Sequence, residues 1–300
     1  MRCLIIQNRL GLDGRSRCVA EFVALLNDLG IEPRIVSVAR RDPDIGRAFG
    51  LSDLRYSFAQ PLPWPPKSSA HNLEVLVTNL VARKVIREFQ PDLVFNSNNL
   101  WNFLPPGPRY LHYMHNTMQH VRHVVRYSRG IWKSYATILN LLTRDAPTPP
   151  RSQLVANSQF VRDAILERRP TDVRLVYPPA WNGELRPGRP NLRRVVTLGS
   201  FHPDKRQLEQ IEIARRLPDW KFTLLGGQHS AQYARRVERA ARELPNVKVV
   251  LDATRQQINE EFARASHFIH TARAEGFGIV AVEAAAAGCV PVVADSGEIR

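Results

Sequence analysis

Apolar residues recur along this chain at two spacings, one suited to buried strands and one to amphipathic helices, and the two alternate from end to end. Leu4-Ile5-Ile6 is a short apolar run, and residues 4–7 read as a strand. A loop over 9–15 carries Gly11 and Gly14. Residues 16–29 then place Val19, Phe22, Val23 and Leu26 on one helical face, stop at Gly30 and give way to a strand over 34–38. The segment 40–69 breaks the rhythm. Pro61, Pro63, Pro65 and Pro66 crowd together there, and it reads as a long irregular loop. Beyond it the pattern predicts helices over 73–89, 131–142 and 159–167, and strands over 93–95, 110–114, 154–156 and 173–177.

Arg186-Pro187-Gly188-Arg189-Pro190 cannot continue either element and marks a boundary between a domain over 1–185 and a second over 186–300. The second restarts the alternation, with strands at 195–198, 221–225, 247–251, 267–270 and 290–293. Helices lie between them at 207–216, 231–243, 256–265 and 279–287. Strands separated by helices of this length make parallel sheets covered on both faces. Such sheets bind ligands beyond the carboxyl ends of their strands, and two of them leave a cleft.

Composition narrows the class. The 300 residues, 44% apolar, have room for two ordinary cores. No apolar run is long enough to cross a bilayer. Met1-Arg2-Cys3-Leu4-Ile5-Ile6 is too short for a secretory signal and reads as the first strand. Cys3, Cys18 and Cys289 are odd in number and apolar in setting, as expected of reduced core thiols in a cytoplasmic protein. The net charge of +14 points to an anionic partner. It is concentrated: residues 93–144 contain no Asp or Glu but carry Arg109, Arg122, Arg126, Arg129, Lys133 and Arg144, interleaved with Tyr127, Trp132 and Tyr135. A basic surface with aromatics suits a peripheral contact with the inner face of a membrane. No recognisable nucleic-acid module accompanies it.

The chemistry concentrates in the last quarter. Glu275-Gly276-Phe277-Gly278-Ile279 is a glycine-punctuated turn into an alanine-rich helix that carries Glu283 and ends at Gly288. A helix start with small residues offers free amides and a favourable dipole to an anion. Carboxylates beside it suit a hydroxyl-rich ligand. Glu283, set among Ile279, Val280, Ala281, Val282 and four alanines, needs a partner or a cleft. Gly199-Ser200-Phe201-His202-Pro203-Asp204-Lys205-Arg206 joins a strand to a helix, where a Lys or Arg can neutralise a diphosphate. The turn Gly11–Gly14 and the strand end Leu111–His115 are weaker candidates; alternation puts His112 and His115 on opposite faces, so one of them at most is expected to act. Asp42-Pro43-Asp44 resembles a metal-holding acid pair but is separated from its strand by Arg40 and Arg41 and reads as loop.

On the spacing Glu275-x7-Glu283 with Gly288 and Pro291, supported by Gly199–Lys205, Ala156–Val161 and Tyr177-Pro178-Pro179, the sequence resembles the family 4 retaining glycosyltransferases of GT-B architecture. Phe201–Lys205 and His112-Tyr113 are more weakly similar to mannosyltransferases of lipid-linked oligosaccharides. The resemblance implies an α/β fold of two Rossmann-like doubly wound domains facing across a cleft, the first on the acceptor side and the second binding a nucleotide-sugar. It implies transfer of a hexose from a nucleoside diphosphate sugar to an acceptor hydroxyl, on a glycan or a lipid-linked carrier. The runners-up are a nucleotide-sugar epimerase of the same architecture and an inactive nucleotide-sugar-binding module. No cofactor, metal or nucleic acid is implied.

By position, Glu275 would meet the donor sugar, Glu283 the ribose, and Lys205 the diphosphate with the amides of Phe277 and Gly278. Gly276 and Ile279 complete that turn, Gly199 underlies the diphosphate loop, Gly14 would lie near the phosphates, and His115 or His112 near the sugar. Two departures stand out. Ser200 occupies a position where many relatives carry Arg, so either Arg206 substitutes or the leaving group is less well stabilised. The family's chain also continues with a strand and a helix past the point matching Ser296–Arg300, so the second domain is expected to be incomplete, from a fragment or an unusually short protein.

Overall fold

The computed structural model describes residues 1–11, 13–40, 44–59, 71–98, 101–115, 134, 137, 147–167, 171–180, 187–188, 191–228, 230–272, 275–295 and 297–298. Ser134 and Thr137 are helical, and the rest of the predicted helix over 131–142 lies outside the described residues, as do Arg122–Lys133 and Arg144 of the basic span. The chain divides into two compact units, Met1–Pro178 and Pro179–Arg300.

The first unit begins with β1 (Cys3–Ile6), β2 (Arg9–Leu10), α1 (Gly14–Asp28), β3 (Arg34–Val36), β4 (Ala39–Arg40) and β5 (Ser57–Phe58). It continues with α2 (His71–Phe89), β6 (Leu93–Asn96), β7 (Arg109–Met114), β8 (Ser152–Ala156), α3 (Gln159–Leu166) and β9 (Val173–Leu175). Seven strands form one parallel sheet in the order β5-β3-β1-β6-β7-β8-β9. All four residues of β1 are buried, which is why it reads as an unbroken apolar run and not as an alternation. The core joins Leu4, Ile6, Val94, Met114 and Leu154 from the strands to Ala82, Ile86 and Val161 from the helices. From β1 the chain winds outward one way to β3 and β5, and then the other way from β6 to β9. The direction reverses between β1 and β6, and a crevice opens at the carboxyl ends of such a pair.

Gly14, expected in the loop, is the first residue of α1. The cause is Asp13, whose carboxylate caps the helix by accepting the Ser16 amide at 2.8 Å. The short strand β5 falls inside the expected loop, where a two-residue pairing leaves no periodic signal.

The second unit runs β10 (Asn191–Leu198), α4 (Gln207–Arg216), β11 (Lys221–Gly226), α5 (Ala231–Arg242), β12 (Val247–Leu251), α6 (Arg255–Arg264), β13 (Ala265–His270), α7 (Ile279–Ala286) and β14 (Val290–Val293). Its parallel sheet has the order β12-β11-β10-β13-β14, and the winding direction reverses between β10 and β13. One core layer gathers Val196, Phe262, Phe268, Ala281 and Ala284, and the other Val195, Phe201, Ile211, Leu224 and Val237. The sheet is therefore covered on both faces, as the alternating pattern requires. Both units are doubly wound and Rossmann-like. All three cysteines are buried and unpaired with one another, and no helix among the described residues is long and apolar enough to cross a membrane.

Candidate functional site

In the second unit, the loops that leave β10 and β13 stand side by side because those strands are neighbours. The first is Gly199–Arg206. The Gly199 amide bonds the Leu225 carbonyl at 3.0 Å, and the backbones of Gly199 and Gly226 touch so closely that a Cβ on Gly226 would lie 1.8 Å from the Gly199 oxygen. Phe201 is fully buried and anchors the loop, its amide bonded to the Gly227 carbonyl at 2.9 Å. A single 3₁₀ turn, Pro203–Lys205, then delivers Lys205, and Arg206 takes a left-handed conformation (φ 55°) to open α4. The stem of Lys205 lies beside Gly199, where a Cβ would sit 3.8 Å from Cγ of the lysine.

The second loop supplies the partner. Lys205 Nζ donates to Glu275 Oε2 at 2.6 Å, and His270 Nε2, at the end of β13, donates to the same oxygen at 3.1 Å. Thr271 ties the two loops together. Its hydroxyl bonds the carbonyls of Lys205 and Arg206 at 3.0 and 3.3 Å and accepts from Gln210 at 2.9 Å. Behind Glu275, Gly297 (φ +75°) packs so tightly that a Cβ there would lie 2.1 Å from the Glu275 carbonyl oxygen. Burial alone would raise the Glu275 pKa, but the Lys205 ammonium and the His270 hydrogen bond more than offset it and hold the carboxyl well below the usual range.

Gly276 and Phe277 lead to Gly278, whose left-handed φ of 78° favours glycine and turns the chain into α7 at Ile279. The first amides of α7 have no intrahelical acceptor and carry the positive end of its dipole. Glu283, one turn further on and buried, accepts from Arg255 Nη2 at 3.0 Å. The partner that its apolar surroundings demanded is thus the first residue of α6, placed there by the Thr254–Gln257 capping box. Arg206 is engaged elsewhere: its guanidinium is held by both carboxylate oxygens of Glu209 on α4 and would have to leave them to reach a phosphate. Ser200 contributes its carbonyl to Gln207 at 2.9 Å.

The strand ends of the first unit are of a different kind. His112 is fully buried and stacks on Tyr110 with ring centroids 5.5 Å apart. The Asn96 amide donates to its Nδ1 at 3.0 Å, which leaves Nε2–H to donate to Ser152 Oγ at 3.2 Å, and Ser152 donates onward to the Pro149 carbonyl. His115 follows β7 on the other face, against Tyr113, with Nε2 2.8 Å from Ser97 Oγ. Burial pushes both imidazoles down to about 3, so both are neutral at physiological pH. Hydrogen bonds from the Asn8 amide to Asn98, from the Asn98 amide to Asn96, and from Asn157 to the His115 carbonyl knit the ends of β1, β6, β7 and β8 into one network. Gly14 lies beyond the Asp13 cap; Ser16 Oγ there bonds Asp13 and accepts the Gly11 amide, at 2.9 Å each.

Sequence reasoning missed His270, Thr271, Arg255 and Gly297 in the second unit and Asn8, Asn96 and Asn98 in the first, and took in Asn157 only as part of the run Ala156–Val161. A polar residue directly after each apolar run was the available signal for Asn8, Asn96, Asn98 and Asn157. Asp44 accepts the amides of Gly46 and Arg47 in a local turn, while Asp42 and Pro43 lie outside the described residues. Among the described residues no three His, Cys, Asp or Glu side chains gather as a metal would require.

Residues 12–180 match the family model described as Glycosyltransferase Family 4, and residues 187–300 match the model described as Glycosyl transferases group 1. Over 122 residues, the chain is 31% identical to a GDP-mannose:cellobiosyl-diphosphopolyprenol alpha-mannosyltransferase of Xanthomonas campestris, a match that takes in 39% of this chain and 31% of the relative's length. Among solved structures, the sucrose-phosphate synthase of Thermosynechococcus elongatus shares the fold with a TM-score of 0.74 at 17% identity, over 100% of this chain and 82% of that one. WaaG, a glycosyltransferase involved in lipopolysaccharide biosynthesis, shares it with a TM-score of 0.71 at 15% identity, over 99% and 82%. Two parallel α/β units, the glycine-turned helix with its two glutamates, and a family match over more than half of the residues converge: the chain belongs to Glycosyltransferase Family 4.

Proposed function

We propose that this chain is a retaining glycosyltransferase that moves a hexose from a nucleoside diphosphate sugar to an acceptor hydroxyl. The observation that carries the reading is the Lys205–Glu275–His270 cluster where the winding of the second sheet reverses, followed by the Gly278 turn into α7. In the reaction the bond from the anomeric carbon to the diphosphate breaks, a bond from that carbon to the acceptor oxygen forms, and the acceptor's hydroxyl proton passes to the departing diphosphate. Negative charge grows on the diphosphate as it leaves. Lys205 and the amides of Phe277 and Gly278, at the start of α7, neutralise it and so lower the barrier. Glu275 accepts hydrogen bonds from the sugar hydroxyls, and Glu283, held by Arg255, takes the ribose. Gly14 and His115, at the strand ends of the first unit, fall to the donor phosphates and the sugar. The enclosure of His112 by Asn96, Ser152 and Tyr110 supports the choice of His115 over it.

A lipid-linked acceptor is the finer part of the proposal. The name of the Xanthomonas relative, with its GDP-mannose donor and diphosphopolyprenol acceptor, supports it, and so does the basic, acid-free stretch over 93–144. That stretch would bring the enzyme to an anionic membrane surface. Calorimetric titration with UDP, GDP and ADP identifies the base, and the corresponding sugar nucleotide is then supplied with and without acceptor. Transfer that requires acceptor and falls about 10²–10³-fold in Lys205→Ala is the expected result. Conversion of the donor with no acceptor present would replace this reading by the epimerase, and binding without any turnover by the inactive module.

A further inference from the structure

One carboxylate oxygen holds two donors. Glu275 Oε2 accepts Lys205 Nζ at 2.6 Å and His270 Nε2 at 3.1 Å. The donors differ in freedom. Lys205 carries its charge on a long stem that retains 28% side-chain exposure, and only its backbone is pinned, by Thr271. His270 is a short side chain with 6% exposure, stacked on Phe268 with centroids 5.9 Å apart, and it sits on the last residue of a central strand. One partner can swing and the other cannot. The proposed function asks two things of this cluster: that Lys205 meet the diphosphate, and that Glu275 remain in place for the sugar. A nucleoside diphosphate brings more than one negative charge and several acceptor oxygens, whereas Glu275 brings a single charge. Coulomb attraction therefore draws the ammonium to the phosphates.

We propose that Lys205 is a shared cation: Glu275 holds it until the donor binds, the donor's diphosphate takes it, and His270 then keeps the Glu275 carboxylate aimed at the sugar. His270 is a positioning residue in this scheme. It acts on the sugar through Glu275 and touches no reacting atom. The inference rests on the assignment of Lys205 to the diphosphate, and it adds a consequence of opposite sign for two related ligands. A nucleoside diphosphate without sugar has no contact with Glu275 to lose, yet must pull Lys205 away from it. Abolishing the carboxylate's charge therefore helps this ligand. The sugar nucleotide gains the same freed lysine but loses the acceptor for its hydroxyls.

The test is calorimetry on the full chain with GDP, UDP and ADP and with the sugar nucleotide of whichever binds, comparing the unaltered protein with Glu275→Gln and, should the amide fold poorly, Glu275→Ala. The expected result is severalfold tighter binding of the nucleoside diphosphate and severalfold weaker binding of the sugar nucleotide. Nucleoside diphosphate affinity that is unchanged or weaker in these variants overturns the exchange while leaving the function standing. Failure of all three nucleotides to bind the unaltered chain overturns both. For His270 the readout is a split between constants. His270→Leu should leave nucleoside diphosphate affinity within about twofold but raise KM for the sugar nucleotide and lower kcat, and His270→Gln, whose amide donates again, should restore part of both. A Gln variant no better than Leu would remove His270 from the scheme.

Discussion

The two sheets end differently at their carboxyl edges. In the first unit the residues that follow the strands are amides, hydroxyls and imidazoles: Gln7, Asn8, Ser37, Asn96, Ser97, Asn98, His115 and Asn157, all buried. The Arg9–Glu74 pair and the Asp13 cap are charged additions to this edge. In the second unit the working residues are ions set against ions, Lys205 against Glu275 and Arg255 against Glu283. Neutral networks with directed bonds fix a shape. Ion pairs that keep some exposure can trade a partner for a charged ligand. One edge is held by directed bonds, and in the proposed scheme the other exchanges.

The largest effect expected from breaking that contrast is at Lys205. Lys205→Ala should lower the transfer rate by about 10²–10³, the cost of losing one preorganised donor to a developing anion, as measured by product formation at saturating donor. The same substitution should leave the melting behaviour of the first unit unchanged.

Acid separates the units next. Between about pH 6.5 and the native value of about 3, an unfolded chain takes up a proton at His112 and at His115 that the native first unit refuses. Stability therefore falls as pH falls through that window, by up to about 1.4 kcal/mol per pH unit for each histidine. Glu275, a carboxylate held below its usual range, costs stability in the same direction but in a lower window. Its contribution is complete above the unfolded value near pH 4.3 and is lost only as pH drops below that toward the native value. Denaturant titrations at pH 7.5, 6.0 and 5.0 should show the first unit weakening while the Lys205–Glu275 pair persists, and His112→Gln should flatten the slope.

A smaller effect is expected at Arg255. Replacing it with Ala strands the buried Glu283 carboxylate, at a cost of about 2 kcal/mol, kept below the fully buried case because Arg255 retains 26% side-chain exposure. Ribonucleotide binding should weaken with it, and Arg255→Lys should recover part of both losses. The smallest effect is at Glu209. Freeing Arg206 by Glu209→Gln should cost about 0.5 kcal/mol or less, as exposed pairs do, and shift nucleotide affinity by less than about twofold, because the proposed scheme gives the diphosphate to Lys205. A gain well beyond that would mean Arg206 takes over the role vacant at Ser200.

Helix and strand positions were legible wherever an element was long enough to repeat its period. Helix 207–216 and strands 247–251 and 290–293 have the expected ends. Glu283 was legible because charge inside an apolar run is costly and therefore conspicuous, and Glu275 because a glycine-punctuated turn follows it. Their partners were not. His270 looks like a strand-end residue, Arg255 like one more surface arginine, and Gly297 like a turn. Each gains meaning only from a neighbour that is distant in sequence, since β10 lies beside β13 and α6 carries Arg255 to Glu283. The first unit's network was harder still to see. Its members come from four separate strand ends, and an asparagine after a strand is as common in a plain turn. Gly14 was misplaced by a few residues because the Asp13 cap that starts α1 is a local hydrogen bond with no periodic trace.

The most direct test of the central claim is calorimetric titration of the unaltered chain and of Lys205→Ala with GDP, UDP and ADP. The account predicts that at least one of the three binds, and that Lys205→Ala weakens it about ten- to hundredfold, the worth of a charge-assisted hydrogen bond. Binding that is unaffected by the loss of Lys205, or absent for all three nucleotides, would contradict it.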